Sequence, residues 1–264
     1  MKNQVYNTLV IAHRGGMYLY PENTMMAFDN SVKLGVDALE LDIHITKDDI
    51  LVINHDNTIN RTSNGKGFIS NFTYKELLNY NFGYRFKNIH GKYPYRDKYI
   101  PIPKLKDLFI KHNNMNMLID IKNNGTLGYK ASKQLKKLIY RYNMKDKVVI
   151  GSFNNDTIYY FREITKNNIN TSASTNETLK FIIFNKLFLN SFNTIVYSTL
   201  QIPYKKGCLS LDKKSIINSA HRKNIKVYYW TINDRKEMKK LIKLGSDGII
   251  TDRPDILISI LKKI

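Results

Sequence analysis

Short apolar runs alternate with segments of helical periodicity along most of the 264-residue sequence. This alternation is typical of an α/β protein with a parallel sheet, either doubly wound or closed. Eight of the runs predict strands, a number that fits a (β/α)8 TIM barrel. The predicted strands span residues 8–12, 36–43, 50–54, 117–121, 148–151, 169–173, 225–230 and 248–250, and residues 193–198 form a further candidate of uncertain place.

Seven helices are predicted between these strands. The first opens in the segment 21–24, where Glu22 lies near the positive end of the helix, and it stops at Gly35. The others span residues 105–112, 129–142, 156–165, 177–190, 213–224 and 235–244.

The chain length suits one barrel domain over residues 1–264. Residues 57–103 break the alternation of strands and helices, and they are rich in Asn, Gly, Tyr and Phe. This segment predicts a small insertion after the third strand.

Polar residues end or follow the first three predicted strands. They are His13, Arg14, Glu40, Asp42, His55 and Asp56. Because the strand ends of a parallel barrel meet in one mouth, we expect these side chains to converge there. Two histidines, an arginine and three carboxylates in one mouth are the outline of a site that cleaves phosphodiesters.

Further motifs extend this series along the chain. In order, the motifs are His13-Arg14-Gly15, the Pro-Glu-Asn-Thr run at 21–24, Glu40-Leu41-Asp42, His55-Asp56, Arg61-Thr62, Asp120-Ile121-Lys122, Trp230-Thr231-Ile232-Asn233, and Asp247-Gly248 with Thr251-Asp252. Each motif alone is weak, but their order and strand placement together are specific. The series resembles that of the glycerophosphodiester phosphodiesterases, a branch of the phosphatidylinositol-phospholipase-C-like barrels.

The resemblance carries several expectations. It implies hydrolysis of glycerophosphodiesters to sn-glycerol 3-phosphate and an alcohol, and it places the 57–103 insertion beside the barrel mouth. It also implies that Trp230 is a rim aromatic that packs against the glycerol or the alcohol. The family usually has glutamate where this chain has Asp120, a shorter ligand that could alter metal preference.

Three carboxylates predict a cation site. Glu40 and Asp42 share one face of their strand, and Asp120 shares a face with Lys122. Carboxylate oxygens suit Mg²⁺ or Ca²⁺, and paired buried acids are costly unless a cation neutralises them. The alternative is a buried salt network with Arg14 and Lys122, which would not need two histidines nearby.

Two histidines with ordinary pKa values near neutrality can divide the acid and base steps of phosphodiester cleavage. We expect His13 and His55 to do so, in an order that the sequence leaves open. Arg14, held by Glu22, is expected to bind the phosphate, with Lys122 stabilising its charge. The nucleophile is water or the neighbouring glycerol hydroxyl.

Two other polar positions have less specific predictions. His44 shares strand parity with Glu40 and Asp42, so it either supports the site from the rim or faces solvent. The turn from Asp247 to Asp252 is expected to close the barrel rather than to take part in catalysis.

Two other functions remain open. One is a lysophospholipase-D-like phosphodiesterase acting on lysolipids, for which the insertion supplies the aromatic residues Phe68, Phe72, Tyr74, Phe82, Tyr84 and Phe86. The other is a non-catalytic basic binding barrel, against which the complete polar set argues.

The chain has 42 Lys and Arg against 22 acidic residues, a formal charge of +20. Most of this charge is expected on solvated helix faces, with the remainder aiding capture of a small anionic substrate. Nucleic acid is not expected as a partner, whereas transient contact with a membrane surface remains open. The sequence does not indicate an oligomeric state.

The amino-terminal segment lacks an apolar signal region, and no apolar stretch approaches the roughly 20 residues of a membrane span. The sequence therefore predicts a soluble, cytoplasmic protein. The single cysteine, Cys208, excludes an intrachain disulfide and a thiolate metal site.

Overall fold

Ten strands and nine helices are present in the computed structural model, which describes residues 7–187, 189, 194–207 and 209–264. The strands are β1 (Leu9–Ala12), β2 (Ala38–Ile45), β3 (Leu51–Ile53), β4 (Asn116–Ile121), β5 (Val148–Gly151), β6 (Thr199–Pro203), β7 (Lys205–Lys206), β8 (Leu209–Ser210), β9 (Lys226–Trp230) and β10 (Gly248–Thr251). The helices are α1 (Met25–Leu34), α2 (Tyr74–Leu77), α3 (Leu105–Lys111), α4 (Gly125–Arg141), α5 (Asn155–Thr165), α6 (Thr175–Lys186), α7 (Lys214–His221), α8 (Arg235–Leu244) and α9 (Pro254–Leu261).

Seven strands form one continuous parallel sheet in the order β5-β4-β2-β1-β10-β9-β6. The two outer strands are joined through the predicted 169–173 strand, where Thr171 bridges Ile150 and Ser172 bridges Thr199, both in parallel. The sheet is therefore closed, and the predicted (β/α)8 barrel is confirmed.

Two strand predictions were wrong. Residues 50–54 were expected to form a barrel strand, but β3 pairs antiparallel with β2, with Ile53 opposite Ile43. The connection between them is a tight turn, and a parallel crossover needs a dozen or more residues. The sixth barrel position belongs instead to β6, because residues 194–198 of the 193–198 candidate are not strand.

The helices begin and end where local signals favour it. Thr24 caps α1 by accepting a hydrogen bond from the Ala27 N–H, and Gly35 ends it at φ 84°. Ser174 and Glu177 form a capping box at the start of α6. Helix α9 was not predicted, although Pro254 at its start is a helix signal.

A few predictions fall on parts of the chain that the structure does not describe. These are positions 188 and 190 of the predicted 177–190 helix, Asn193, the first six residues and Cys208.

Alternate residues of the barrel strands pack on opposite sides. On β2, Leu39, Leu41 and Ile43 join the large core between sheet and helices. The opposite face of the sheet contains a smaller cluster of Ile11, Ala38, Leu118, Tyr228 and Ile250. This alternation directs Glu40, Asp42 and His44 toward the barrel interior.

Residues 57–103 contribute most of a separate hydrophobic cluster formed by Val52, Ile59, Ile69, Leu77, Phe82 and Ile102. Asn81 ties the segment together, since its Nδ2 donates to the Tyr95 carbonyl at 2.8 Å. Within the described residues, no helix combines the length and apolarity needed to cross a membrane.

Candidate active site

A tight turn directly after β1 presents His13 and Arg14 at the barrel mouth. Arg14 has φ 49°, and its backbone N–H donates to Glu40 Oε2 at 2.9 Å. Gly15 has φ 78°, and a Cβ there would lie 2.8 Å from that of Ala27 on α1. The turn therefore needs glycine at this position, both for backbone conformation and for close approach to the helix.

His13 is held by the carboxylate of the residue that follows the last barrel strand, Asp252. Its Nδ1 lies 2.6 Å from Asp252 Oδ1, while its Nε2 is 4.0 Å from Glu40 Oε2. Asn233 Nδ2 donates to the other Asp252 oxygen at 2.7 Å, and the Asp252 N–H donates back to Asn233 Oδ1 at 2.9 Å. An Nδ1–H donated to Asp252 leaves Nε2 as the nitrogen that faces Glu40.

The pKa of His13 lies above its ordinary value of 6.5. Burial alone would lower this pKa, but the nearby Glu40 and then the hydrogen bond and charge of Asp252 outweigh it. His13 thus retains a proton more readily than a free imidazole.

His55 forms a second histidine–aspartate pair. Its Nδ1 lies 2.7 Å from Asp56 Oδ1, and Arg61 holds Asp56 through its Nε at 2.7 Å. Burial would raise the Asp56 pKa, but the hydrogen bonds from Arg61 and His55 lower it to about 2. The Asp56 carboxylate is therefore ionised beside His55 at neutral pH.

His44 lies beneath this pair and does not face solvent, so that part of its prediction was wrong. The side chain is buried, and its Nε2 donates to the His55 carbonyl at 3.1 Å. Burial lowers the His44 pKa to about 4, so the ring is neutral at pH 7.

Asp42 lies at the centre of the polar cluster. It accepts hydrogen bonds from Asn23 Nδ2 at 2.9 Å and from Lys122 Nζ at 2.9 Å, and Arg14 Nε lies 3.4 Å away. Lys122 Nζ also contacts Asp120 Oδ2 at 2.7 Å, so one ammonium bridges two carboxylates. Burial opposes ionisation of Asp42, but Lys122 and Arg14 hold its pKa below the usual range.

Glu40 and Asp120 are less fully compensated. Burial, with the repulsion of Asp42, raises the Glu40 pKa to about 7. Burial also raises the Asp120 pKa despite the contact with Lys122. Both histidines interact electrostatically with these carboxylates. His13 lowers the pKa of Glu40, and His55 lowers the pKa values of Asp42 and Asp120.

The donor set of Glu40, Asp42 and Asp120 fits a hard divalent cation. A cation would remove the cost that raises the Glu40 and Asp120 pKa values. In the described residues, however, no three acidic, histidine or cysteine side chains are grouped as a ready metal site. Lys122 instead occupies the space between Asp42 and Asp120.

Glu22 links Arg14 to the insertion. Arg14 Nη1 donates to Glu22 Oε1 at 2.9 Å, and Arg61 donates to both Glu22 oxygens at 2.6 and 2.8 Å. Burial would raise the Glu22 pKa, but the two arginines lower it. The Glu22 carboxylate therefore orients the Arg14 guanidinium on the side that faces the insertion.

Trp230 lies at the end of β9, half-buried. Its ring meets Phe153 edge to face with the ring centroids 5.8 Å apart, and Lys122 Nζ lies 5.3 Å from the Phe153 ring centre. Phe153 is 64% exposed, so this pair extends the site toward solvent.

Three residues of the site were given no part in it by sequence reasoning, namely Asn23, Asn233 and Asp252. All three belong to motifs that were recognised, but their partners are set by tertiary contacts. Asp252, for example, is 239 positions from His13 in the chain. Asp56 was expected at the mouth, although its pairing with His55 was not predicted.

The comparisons with known proteins agree with this geometry. A family model described as the glycerophosphoryl diester phosphodiesterase family matches residues 13–256. The chain belongs to this family. The expected enzyme class, a phosphodiesterase of glycerophosphodiesters, is thereby confirmed.

Individual relatives cover nearly the whole chain. A glycerophosphodiester phosphodiesterase from Caldanaerobacter subterraneus is 31% identical over 97% of this chain and 98% of its own length. A human lysophospholipase D is 30% identical over 96% of this chain and 86% of its own length. Among solved structures, an Oleispira antarctica phosphodiesterase in complex with the product sn-glycerol-3-phosphate shares the fold, with a TM-score of 0.78, 21% identity, and coverage of 97% of this chain and 98% of that one.

Proposed function

We propose that the protein hydrolyses glycerophosphodiesters to sn-glycerol 3-phosphate and an alcohol, with His13 and His55 as acid and base and with a divalent cation. The observation that carries the proposal is the pair of histidine–aspartate contacts, at 2.6 and 2.7 Å, joined to one cluster of carboxylates and cations. Similar contacts of His112 with Asp29 and of His221 with Asp247 lie elsewhere in the fold. The two pairs at the mouth differ from them because His13 and His55 also act on the carboxylates Glu40, Asp42 and Asp120.

The two histidines divide the proton transfers. Asp252 and Asp56 each hold an Nδ1–H, which leaves the Nε2 atoms of His13 and His55 for the substrate. One Nε2 removes a proton from the nucleophile, which is water or the neighbouring glycerol hydroxyl. The other returns a proton to the departing alkoxide.

Arg14 and Lys122 bind the phosphate. Arg14 is oriented by Glu22, and Lys122 has a raised pKa because Asp120 and Asp42 outweigh the effect of burial. Lys122 therefore remains charged and can stabilise the non-bridging oxygens.

Glu40, Asp42 and Asp120 would hold the cation. A bound Mg²⁺ or Ca²⁺ supplies Lewis-acid stabilisation of charge on the phosphate oxygens. These carboxylates would keep it in place, and Lys122 would then turn from Asp42 and Asp120 toward the substrate.

Trp230 and the insertion supply the surroundings of the alcohol. The Trp230–Phe153 pair provides an apolar wall close to Lys122. The insertion, residues 57–103, contacts the site because Arg61 donates a hydrogen bond to Glu22. The insertion therefore determines which alcohol group the enzyme accepts.

Release of glycerol 3-phosphate from glycerophosphocholine by the purified protein tests this assignment. Product formation that is lost in His55→Asn and retained in His221→Asn supports it. His221 is a suitable control because it makes a similar contact with Asp247, at 2.7 Å, away from the mouth. Full activity of His55→Asn would overturn the assigned acid–base pair.

Lysolipid hydrolysis is the second candidate, since a human relative is named lysophospholipase D and Phe68 and Phe153 are exposed. Other aromatics of the insertion pack internally, because Phe82 is buried and Phe72 meets Tyr80 edge to face with the ring centroids 5.8 Å apart. Faster turnover of lysophosphatidylcholine than of glycerophosphocholine would place this candidate first.

A further inference from the structure

A separate pocket of about 180 Å³ lies between the loop after β1 and the insertion. Met17 and Glu22 line it from the barrel side, and Arg61, Arg85, Phe86 and Lys87 line it from the insertion. Glu22 also holds Arg14, so one carboxylate separates this pocket from the proposed phosphate site.

The cations of the pocket differ in their partners. Arg61 is neutralised, because its donors are directed to Glu22 and Asp56. Arg85 uses only its Nε, which donates to the Ser63 carbonyl at 2.9 Å. Across the residues that the structure describes, the Arg85 Nη atoms and Lys87 Nζ have no hydrogen-bond acceptor.

Arg85 and Lys87 are therefore two positive charges of the pocket without a hydrogen-bonded counter-charge among the described residues. The contact of Arg85 Nε with Ser63 also positions the Arg85 guanidinium. A free guanidinium edge matches the two oxygens of a phosphate or a carboxylate. A phosphomonoester carries about −1.5 to −2 charge at neutral pH, so it matches two cations better than a carboxylate does. The volume is below the roughly 300 Å³ of a site for a whole drug-sized ligand, so it suits a terminal group.

We propose that this pocket binds a phosphomonoester carried by the leaving alcohol, so that the enzyme favours glycerophosphodiesters whose alcohol is itself phosphorylated. The proposal rests on the proposed function, because it places the scissile phosphate at Arg14. Arg85 binds the terminal phosphate through its Nη atoms and Lys87 adds the second charge, while Phe86 and Met17 contact the carbon chain.

The test compares glycerophosphoglycerol with the same molecule phosphorylated on its free glycerol. We expect kcat/KM of the wild type to be about tenfold higher for the phosphorylated substrate, since charge-assisted contacts exceed neutral ones. Lys87→Gln and Arg85→Gln should each reduce this ratio at least about threefold. Lys75→Gln is the matched control, as an exposed lysine of the insertion outside the pocket, and it should leave the ratio unchanged.

Each result has one meaning. A wild type that cleaves both substrates with equal kcat/KM overturns the pocket proposal alone. A wild type that cleaves glycerophosphocholine but neither of these substrates also overturns the pocket proposal alone, whereas one that cleaves none of the three overturns the proposed function. An equal preference for the glycerophosphodiester of glyceric acid, whose alcohol carries a carboxylate and no ammonium, would show general anion binding and contradict phosphate recognition. Because Arg85 also contacts Ser63, the Lys87 variant decides the case if Arg85→Gln fails to fold.

Discussion

At the residue scale, the proposed role of His13 depends on the carboxylates beside its two ring nitrogens. Asp252 holds Nδ1, and Glu40 lies 4.0 Å from Nε2. We predict that His13→Asn lowers kcat by roughly 100-fold or more, the usual contribution of a general acid or base. Thermal unfolding should show an intact fold. A variant of near wild-type kcat would contradict the role of His13.

Asp252 is predicted to act through His13. Replacing it by Asn keeps the shape but removes the carboxylate that selects the Nδ1–H tautomer, so kcat should fall at least about tenfold. KM should change much less, because Asp252 does not contact the proposed phosphate site. A change confined to KM would instead indicate a role in substrate binding.

The site was only partly predictable at this scale. The residues that the motifs carry were named correctly as polar residues at strand ends. Asp252 was expected only to close the barrel, and closure does bring it to His13, because Ala12 on β1 pairs in register with Thr251 on β10. Sequence order could not give that register, and the burial that raises the Glu40 pKa to about 7 arises only in the folded barrel.

At the element scale, the turn after β1 depends on close packing against α1. Gly15→Ala should reduce the free energy of unfolding by about 3 kcal/mol, because a positive φ and a clash with Ala27 act together. Gly35→Ala is the matched control, since Gly35 also has positive φ but no atom lies within 4 Å of an added Cβ. Its cost should be about 1 kcal/mol. Equal losses in urea unfolding would show that the contact with α1 is unimportant.

Helices α1 and α3 are joined by Asp29, which accepts hydrogen bonds from Lys111 at 2.6 Å and His112 at 2.8 Å. Burial would raise the Asp29 pKa, but these contacts lower it below 3.8. The resulting stability is present above that ordinary value and is lost as pH falls through the lowered one. Asp29→Asn should therefore cost about 1 kcal/mol at pH 7 and less at about pH 3, below the ordinary value of 3.8.

Urea unfolding at the two pH values checks this prediction. Asp107→Asn on α3 is the control, because the Asp107 side chain is 44% exposed and its carboxylate lies 3.5 Å from Lys104 Nζ. A loss for Asp29→Asn that is the same at both pH values would contradict the charge-based explanation.

Barrel strands made of a short, continuous apolar run were predictable from the sequence. For β5 the predicted and observed ends agree. The run 50–54 failed because apolar periodicity does not distinguish a parallel from an antiparallel partner. The short connection between β2 and the run 50–54 was the feature that indicated an antiparallel pairing. Strand β6 was missed because its run, Thr199 to Pro203, mixes polar residues with a terminal proline.

At the scale of the whole molecule, the closed barrel brings acids, cations and two histidines together at one mouth. Without a divalent cation, the buried carboxylates depend on Lys122 and Arg14. Binding a divalent cation would free Lys122 for the substrate, so structure and charge both predict metal-dependent turnover.

The most direct measurement is kcat/KM for glycerophosphocholine after chelation of divalent ions, and again after addition of Mg²⁺ or Ca²⁺. We predict that chelation abolishes the release of glycerol 3-phosphate and that one of the two ions restores it. In Glu40→Gln, a higher ion concentration should be needed for half-maximal activity. Full activity in the chelated enzyme would contradict the account.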